Sequence, residues 1–509
     1  MQSDERTGTG PAAVWENTMS AARTMLRGGH VVAFEDGRHV LLDGGCVVLE
    51  GARVAFVGFP DDPARPAADT VLDLPGRLIS PGLVNLHCIA NLDLQILRID
   101  VNHVGFPKSR AWFDGGHEVL SDEALRVSAR FSVANLLRNG STTFANVTTM
   151  ASKRYDDPAV EPRALAEAAE ALGARAYLAH NFQDHSRFDD EQGVTQVVHD
   201  AERGRAGLAK AVALVEALER QHCDRVRGFL FPYTTETCSD DLLRSARDAA
   251  RDLGVTLRSH FAQYPAEATG SIARRGESPV ERMDRLGILG PATTLTHAIY
   301  LRGHPDVGGG AMDSDLALLA DSGTHVAHCP VVFARRGVVL RSFDHYRRAG
   351  INLGLGTDTM PADLPGEMRM AAVMAKVADA DPTAGSAADV FHAATVGGAD
   401  ALGRPDLGRL QAGAAADVAV FDLRALHLGV IDCPIKALVH FASGGDAEHV
   451  FVDGVQVVRD RDVVGVDDDA LLAESQRVWW DYRAALVARD PLGRDDDALY
   501  PFAFETRRA

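Results

Sequence analysis

The sequence predicts an α/β protein, a (β/α)8 TIM-type barrel with a small β-sandwich built from both chain ends, and three observations predict it. First, His87, His260, His297 and Asp358 each follow a short apolar run: Leu83-Val84-Asn85-Leu86, Val255-Thr256-Leu257, Thr294-Leu295-Thr296 and Leu353-Gly354-Leu355. Barrel enzymes keep their chemistry where a strand gives way to a loop. Second, short apolar strands alternate with amphipathic helices between these points, the pattern of repeated β-α units. Third, a group of short β-rich runs stands at each end of the chain, and each group is too small to bury a core alone. A barrel of about 250 to 400 residues absorbs most of a chain of this length and leaves a satellite.

Residues 1–26 read as a flexible tail ending in a short helical stretch around Met19 to Leu26. Residues 27–80 hold Val31–Phe34, Cys46–Leu49 and Val54–Val57, separated by Gly and Asp turns, and form the first part of the sandwich. The barrel occupies 81–410. Thr142–Ala145 with the helix Pro162–Leu172, and Arg227–Phe231 with Ser239–Leu253, are clear β-α pairs within it. In the second, Ser239 is placed as the N-cap, with Asp240 and Asp241 in the first turn complementing the helix dipole. Residues 411–466 return to the sandwich through Asp417–Phe421, Leu438–Phe441, His449–Val452 and Val455–Val458. Residues 467–509 form a C-terminal helix and arm, with Trp479, Trp480 and Tyr482 expected to pack on the body.

A formal net charge of −19 repels phosphate backbones and anionic lipid, which excludes nucleic acid and membrane surfaces as natural partners. A small neutral or cationic substrate fits better. The six cysteines are scattered without zinc-ribbon spacing or disulfide density, and the first twenty residues lack the basic start and apolar core of a signal peptide. These features predict a soluble protein of the reducing cytoplasm, with a homo-oligomer, a dimer, as the expected assembly.

Several stretches together resemble the amidohydrolase superfamily, in its branch of cytosine, S-adenosylhomocysteine and triazine deaminases and chlorohydrolases. LISPGLVNLH is similar to that family's first barrel strand, and FPYTTETCSDDLLRSARDAARDLGVTLRSHFAQ to strands four and five with their helix. THAIYL, HVAHCPVVF and INLGLGTDTMP resemble strands six, seven and eight, and GRLQAGAAADVAVFDL the return to the sandwich. The resemblance covers nearly the whole chain. It implies a metal-dependent hydrolase that activates water for attack on an aromatic or amidine carbon, expelling ammonia, an amine or a halide.

Two positions depart from the family pattern. Where it reads His-x-His on the first strand, with period-two spacing turning both imidazoles inward, this chain has His87-Cys88-Ile89. Ile89 is expected where a ligand nitrogen belongs, with Cys88 facing the other way unless the strand is bulged. Where the family reads His-x-x-Glu on the fifth strand, this chain has His260 and Gln263, an amide that hydrogen-bonds a ring without trading protons.

What the resemblance leaves is one divalent ion, zinc, held by His87, His260 and Asp358 with water in the fourth position. Asp358 accepts the water's proton, His297 polarises the substrate or protonates the leaving group, and Gln263 lies in the pocket. His328, His180 and Asn91 are candidate substrate contacts beside Gln263, with Asp184 and His185 near His180 and Asp93 near Asn91. Against these stand plainer readings: a lone histidine at a strand end is usually a hydrogen-bonded structural group, and Arg335-Arg336 reads as a solvated pair. Three functions stay open: metal-dependent hydrolysis of a C–N or C–halogen bond in a small nitrogen heterocycle; a metal-independent hydrolase or lyase using His260, His297 and Asp358 as acids and bases; and a catalytically silent small-molecule-binding protein.

Overall fold

Both chain ends meet in one sheet. The computed structural model describes residues 22–90, 120–148, 160–189, 195–221, 224–308, 310, 313–490 and 493–506. Arg23–Glu35 and Arg38–Glu50 form a long antiparallel hairpin across Asp36-Gly37, both at positive φ, as a two-residue hairpin turn requires. Arg53–Gly58 extends it on one side. On the other side the first strand changes partner: residues 24–27 run parallel to Thr70–Asp73, and His30 and Val31 to Arg77–Pro81. The change occurs at Gly28-Gly29, where Gly28 has φ +87° and a Cβ on Gly29 would lie 2.4 Å from the Arg77 carbonyl oxygen. Arg77–Pro81 then pairs antiparallel with Val418–Asp422, which leads through Ala447–Val452 and Val455–Arg459 to Asp462–Val463. The result is a single nine-stranded sheet with strands from both ends.

Two sequence expectations are corrected here. The helical stretch placed up to Leu26 is strand from Arg23 onward. Met25 packs with Cys46 and Val48, while Leu26 joins Val31, Val47 and Leu49, so both faces of this segment are buried and tertiary pairing overrides local helix preference. Leu438–Phe441, read as a strand, lies in and just beyond the helix Pro434–His440. Pro434 at the first turn starts it, and it packs on the helices Leu364–Asp379 and Ala387–His392. The C-terminal helix Asp468–Ala488 buries Trp479 and Tyr482 against Leu120, Leu125 and Val127, but leaves Trp480 half exposed.

The middle of the chain supplies two four-stranded parallel sheets. One contains Leu83–Cys88, Ser141–Val147, Arg175–Ala179 and Val226–Gly228; the other contains Leu257–Phe261, Thr293–His297, His325–His328 and Leu353–Leu355. Parallel bridges join them on both sides: Leu230 with Leu257 and Thr234 with His260 at one seam, Cys88 with Asp358 at the other. Helices connect successive strands. Ser239 caps Asp240–Leu253 as the sequence predicts, accepting from the Leu242 N–H, and Gly254 ends that helix in the left-handed conformation. Beneath the strands, the buried guanidinium of Arg175 reaches into the terminal sheet to Asp417 and Asp453. Among the described residues no helix is long and apolar enough to cross a membrane.

Candidate active site

The seam between the first and last of these strands fixes two of the functional side chains. The Asp358 N–H donates to the His87 carbonyl at 2.9 Å, and the Ile89 N–H to the Asp358 carbonyl at 2.7 Å. Below them the Asn85 side chain donates to Thr357 Oγ1 at 2.9 Å and accepts from the Thr357 N–H at 3.2 Å. Gly356 is required where it stands, because a Cβ there would lie 2.7 Å from the His87 backbone nitrogen and oxygen. Asp358 itself has φ +59° and His297 φ +80°. Such backbone costs about 1–3 kcal/mol per residue and persists where the surroundings impose it; at the end of a strand it re-aims a side chain that alternation alone would turn elsewhere.

Donor atoms of His87, His260, His297 and Asp358 all lie within 4.8 Å of one another, and all four residues are buried. His87 Nε2 is 3.5 Å from Asp358 Oδ1. The His87 ring stands edge-on to those of His260 and His297, at centroid separations of 5.0 and 5.6 Å, while the latter two are parallel at 5.5 Å. Phe231 stacks against His87, and the edge of Phe333 meets His297. His260 Nδ1 lies 2.8 Å from the Tyr233 carbonyl, so this nitrogen carries the proton and leaves the Nε2 lone pair for the cluster.

The donor set suits a divalent cation. Neither ring nitrogen of His87, nor His297 Nδ1, has a hydrogen-bond partner among the described residues. Leaving buried polar atoms unpaired costs about 1–3 kcal/mol each, a cost that metal ligation removes. Burial, assisted by the nearby Arg258 charge, holds His87 well below its ordinary pKa. Burial and the His87 charge depress His260 to about 3, and burial also depresses His297 despite the opposing pull of Asp358. Three neutral imidazoles and a carboxylate are the ligand forms zinc accepts.

The sequence placed His297 apart from the ligands, whereas the structure brings it within their group. Ile89 is buried in the apolar cluster of Ala145, Val147, Tyr177, Ala179, Phe229 and Phe231. Cys88 turns toward the neighbouring strand, with Sγ 3.6 Å from the Ala145 carbonyl and from Asn146 Oδ1, across a break in register between Asn85 and Cys88. Gln263 is half-buried on the turn after His260, following Ala262 at φ +46°. His328 is buried on the seventh strand beside Phe343, outside the cluster of four. His180 is buried, and the charge it feels is that of Lys210 on the helix Ala201–Arg220. Asp184 accepts from the backbone N–H and hydroxyl of Ser239. Asn91 and Asp93 lie outside the described residues.

Two charged residues near the site escaped the sequence reading. Arg258, two residues before His260 and therefore on the same face of its strand, is fully buried with its guanidinium 5.0 Å over the Phe229 ring. It donates to the Leu86 carbonyl, and burial lowers it to about 9. Glu267 accepts from the Thr235 hydroxyl at 2.5 Å, and its carboxyl faces the backbone of the turn that carries Gln263. Burial, and then the Glu236 carboxylate, push it upward. Glu267 sits in the first turn of Pro265–Arg275, a position that reads from sequence as ordinary dipole complementation.

Residues 78–457 match the sequence model of the amidohydrolase family. A 5-methylthioadenosine/S-adenosylhomocysteine deaminase of Natronomonas pharaonis is 32% identical over 431 residues, 83% of this chain and 90% of the relative. A 5'-deoxyadenosine deaminase of Methanosarcina mazei is 28% identical, with 85% and 92% covered. Among solved structures, a zinc-bound adenosine deaminase of Xanthomonas campestris superposes with a TM-score of 0.77 at 23% identity, covering 91% of this chain and 99% of that one. An atrazine chlorohydrolase of Arthrobacter aurescens, complexed with zinc, gives 0.72 at 24% identity over 90% and 100%. These two show the shared fold. From the length of the family match and the similarity to its deaminases, the chain belongs to the amidohydrolase family and is a hydrolase of the kind that acts on carbon–nitrogen bonds other than peptide bonds.

Proposed function

We propose that the protein is a metal-dependent deaminase of an adenosine-type nucleoside, replacing the exocyclic amine of the purine by water. The observation that carries this reading is the buried group of His87, His260, His297 and Asp358, in which neither ring nitrogen of His87 has a hydrogen-bond partner among the described residues. The bridges at both seams support reading residues 81–410 as one closed eight-stranded barrel, with this group at the C-terminal mouth where such enzymes react. His87, His260 and Asp358 would hold one divalent ion, zinc. When bound, that ion lowers the pKa of a water so that it attacks near neutral pH.

The remaining work falls to the chain. Asp358, close to His87 and within reach of the incoming water, accepts the proton that water gives up. His297, aimed into the centre by its left-handed backbone, hydrogen-bonds the reacting carbon's substituent; the proton taken up by Asp358 passes on to the departing amine, and the water's second proton ends on the product ring. Gln263 donates its side-chain amide to a ring nitrogen, and Glu267 fixes the turn from which it does so. Ile89 and the Phe231 ring exclude bulk water from the floor of the site.

Protein purified without chelator should carry close to one divalent ion per chain and release ammonia from 5'-deoxyadenosine or 5'-methylthioadenosine. Chelation should abolish turnover and zinc should restore it, while a folded Asp358→Ala chain should lose both ion and turnover. Stoichiometric zinc without ammonia release from adenosine-type nucleosides would remove the substrate assignment. Full turnover in metal-free protein would instead favour direct acid-base chemistry by the same residues.

A further inference from the structure

A second group of metal-capable side chains is separate from the cluster of His87, His260, His297 and Asp358. After Phe182 the chain leaves the strand layer and forms a two-stranded antiparallel hairpin, His185–Asp189 with Thr195–His199. His185 and His199 are direct cross-strand partners, and their rings stack 4.6 Å apart at 25°. Asp184 lies beside both, with Oδ1 2.7 Å from His185 Nδ1 and Oδ2 3.4 Å from His199 Nε2. The three donor atoms lie within 4.8 Å of one another.

Other features separate this group from a chance surface cluster. The Asp184 side chain is only 2% exposed and is held in place by the Ser239 N–H at 2.8 Å and by the Ser239 hydroxyl. Its carbonyl accepts the Asp200 N–H at 2.7 Å, which closes the base of the hairpin and sets the relation of the two imidazoles. The histidines themselves are open, His185 at 29% and His199 at 50%, so an ion reaches them from solvent. A hydrogen bond from His185 to Asp184 explains one imidazole; it does not explain why a second, from the opposite strand, aims Nε2 at the same carboxylate. Two imidazoles and a carboxylate on one side, with solvent on the other, match the preference of zinc, nickel and cobalt for nitrogen-rich sites completed by water.

We propose that Asp184, His185 and His199 form a second divalent-metal site, independent of the first, which clips the hairpin 185–199 to the Ser239 end of the helix Asp240–Leu253.

The test is a titration of the holoenzyme with zinc and, separately, nickel, with bound metal counted after desalting and thermal unfolding followed in parallel. The wild-type chain is expected to take up a second equivalent and gain thermal stability. His199→Ala is expected to weaken that second equivalent at least tenfold while the first equivalent and turnover remain. Asp358→Ala should show the converse, retaining the hairpin ion and losing the central one, so failure of one site is distinguishable from failure of the other. A wild-type chain that stops at one equivalent overturns the proposal. So does a second equivalent that survives His199→Ala, which would lie elsewhere, for instance at Glu448, His449 and Asp460.

Discussion

Replacing Arg175 by methionine asks what holds the barrel strands to the sheet formed by the chain ends. The guanidinium, 1% exposed, donates to Asp417 through Nε at 3.2 Å and Nη2 at 3.1 Å, to Asp453 at 2.5 Å and to the Asp224 carbonyl at 3.2 Å. Its pKa is raised, because the two carboxylates outweigh the burial that opposes its charge. Methionine keeps most of the volume but leaves Asp417, 2% exposed, without its cation, and Asp453 with only the Arg225 guanidinium at 3.8 Å. Removing one partner of a buried ion pair costs about 3–5 kcal/mol. Asp453 retains 19% exposure and recovers some hydration, so the expected loss is near the lower figure, about 3 kcal/mol. Asp417→Asn keeps the Asp453 contact and should cost about 1.5–3 kcal/mol, the range for charge-assisted hydrogen bonds. If the residues act as one unit, the double substitution should cost less than the sum of the singles by at least about 1 kcal/mol. Urea unfolding with a comparison of midpoints and slopes measures all three variants, with turnover as a control that should not move in the folded protein. An Arg175→Met chain within about 0.5 kcal/mol of wild type, the range of an ordinary surface change, would refute the reasoning and leave the strand ladder alone as the joint.

Ile89→His should add a donor where the family pattern has one and slow metal loss to chelator, with a smaller gain in turnover; a turnover gain larger than the gain in metal retention would refute this. Gln263→Glu alone should not produce strong deamination of cytosine; if it does, the metal site was already complete with Ile89 in place. His328 is depressed to about 3 by burial, so its contribution to stability is fully present above its unfolded pKa near 6.5 and is lost as pH falls from there toward 3. The loss amounts to about 1.4 kcal/mol per pH unit, and His328→Gln should flatten the acid limb of a stability profile measured from pH 7 to 4. An unchanged limb would show that this imidazole titrates alike in the folded and unfolded chain.

The strand-end polar residues were the legible part of the site. His87, His260, His297 and Asp358 follow apolar runs, and the alternating idiom around them places them on one rim before any coordinates are known. The conformation that makes them converge was not legible, since Asp and His adopt a left-handed backbone more often than most residues but rarely enough that sequence does not say which of them will. Arg258 was missed because inward and outward faces of a strand buried on both sides are both occupied by non-exposed groups, so a charge gives no signal of direction. His185 and His199 face each other only through the pairing of two short strands, a register the sequence does not announce. Leu438–Phe441 misled for a simpler reason: a short run of apolar residues has the same composition in a strand and in a buried helix.

The nine-stranded sheet has a consequence for how the chain is made. Ile79 pairs with Val420, so the strand Arg77–Pro81, early in synthesis, waits for a partner translated after every barrel strand. Until then the edge that will receive Val418–Asp422 is an open template, and the cation at Arg175 lacks both of its carboxylates. The barrel strands therefore emerge from the ribosome before the joint that ties them, and assembly is completed only near the end of translation. A chain truncated before residue 418 should accumulate as an aggregation-prone species rather than as a smaller enzyme.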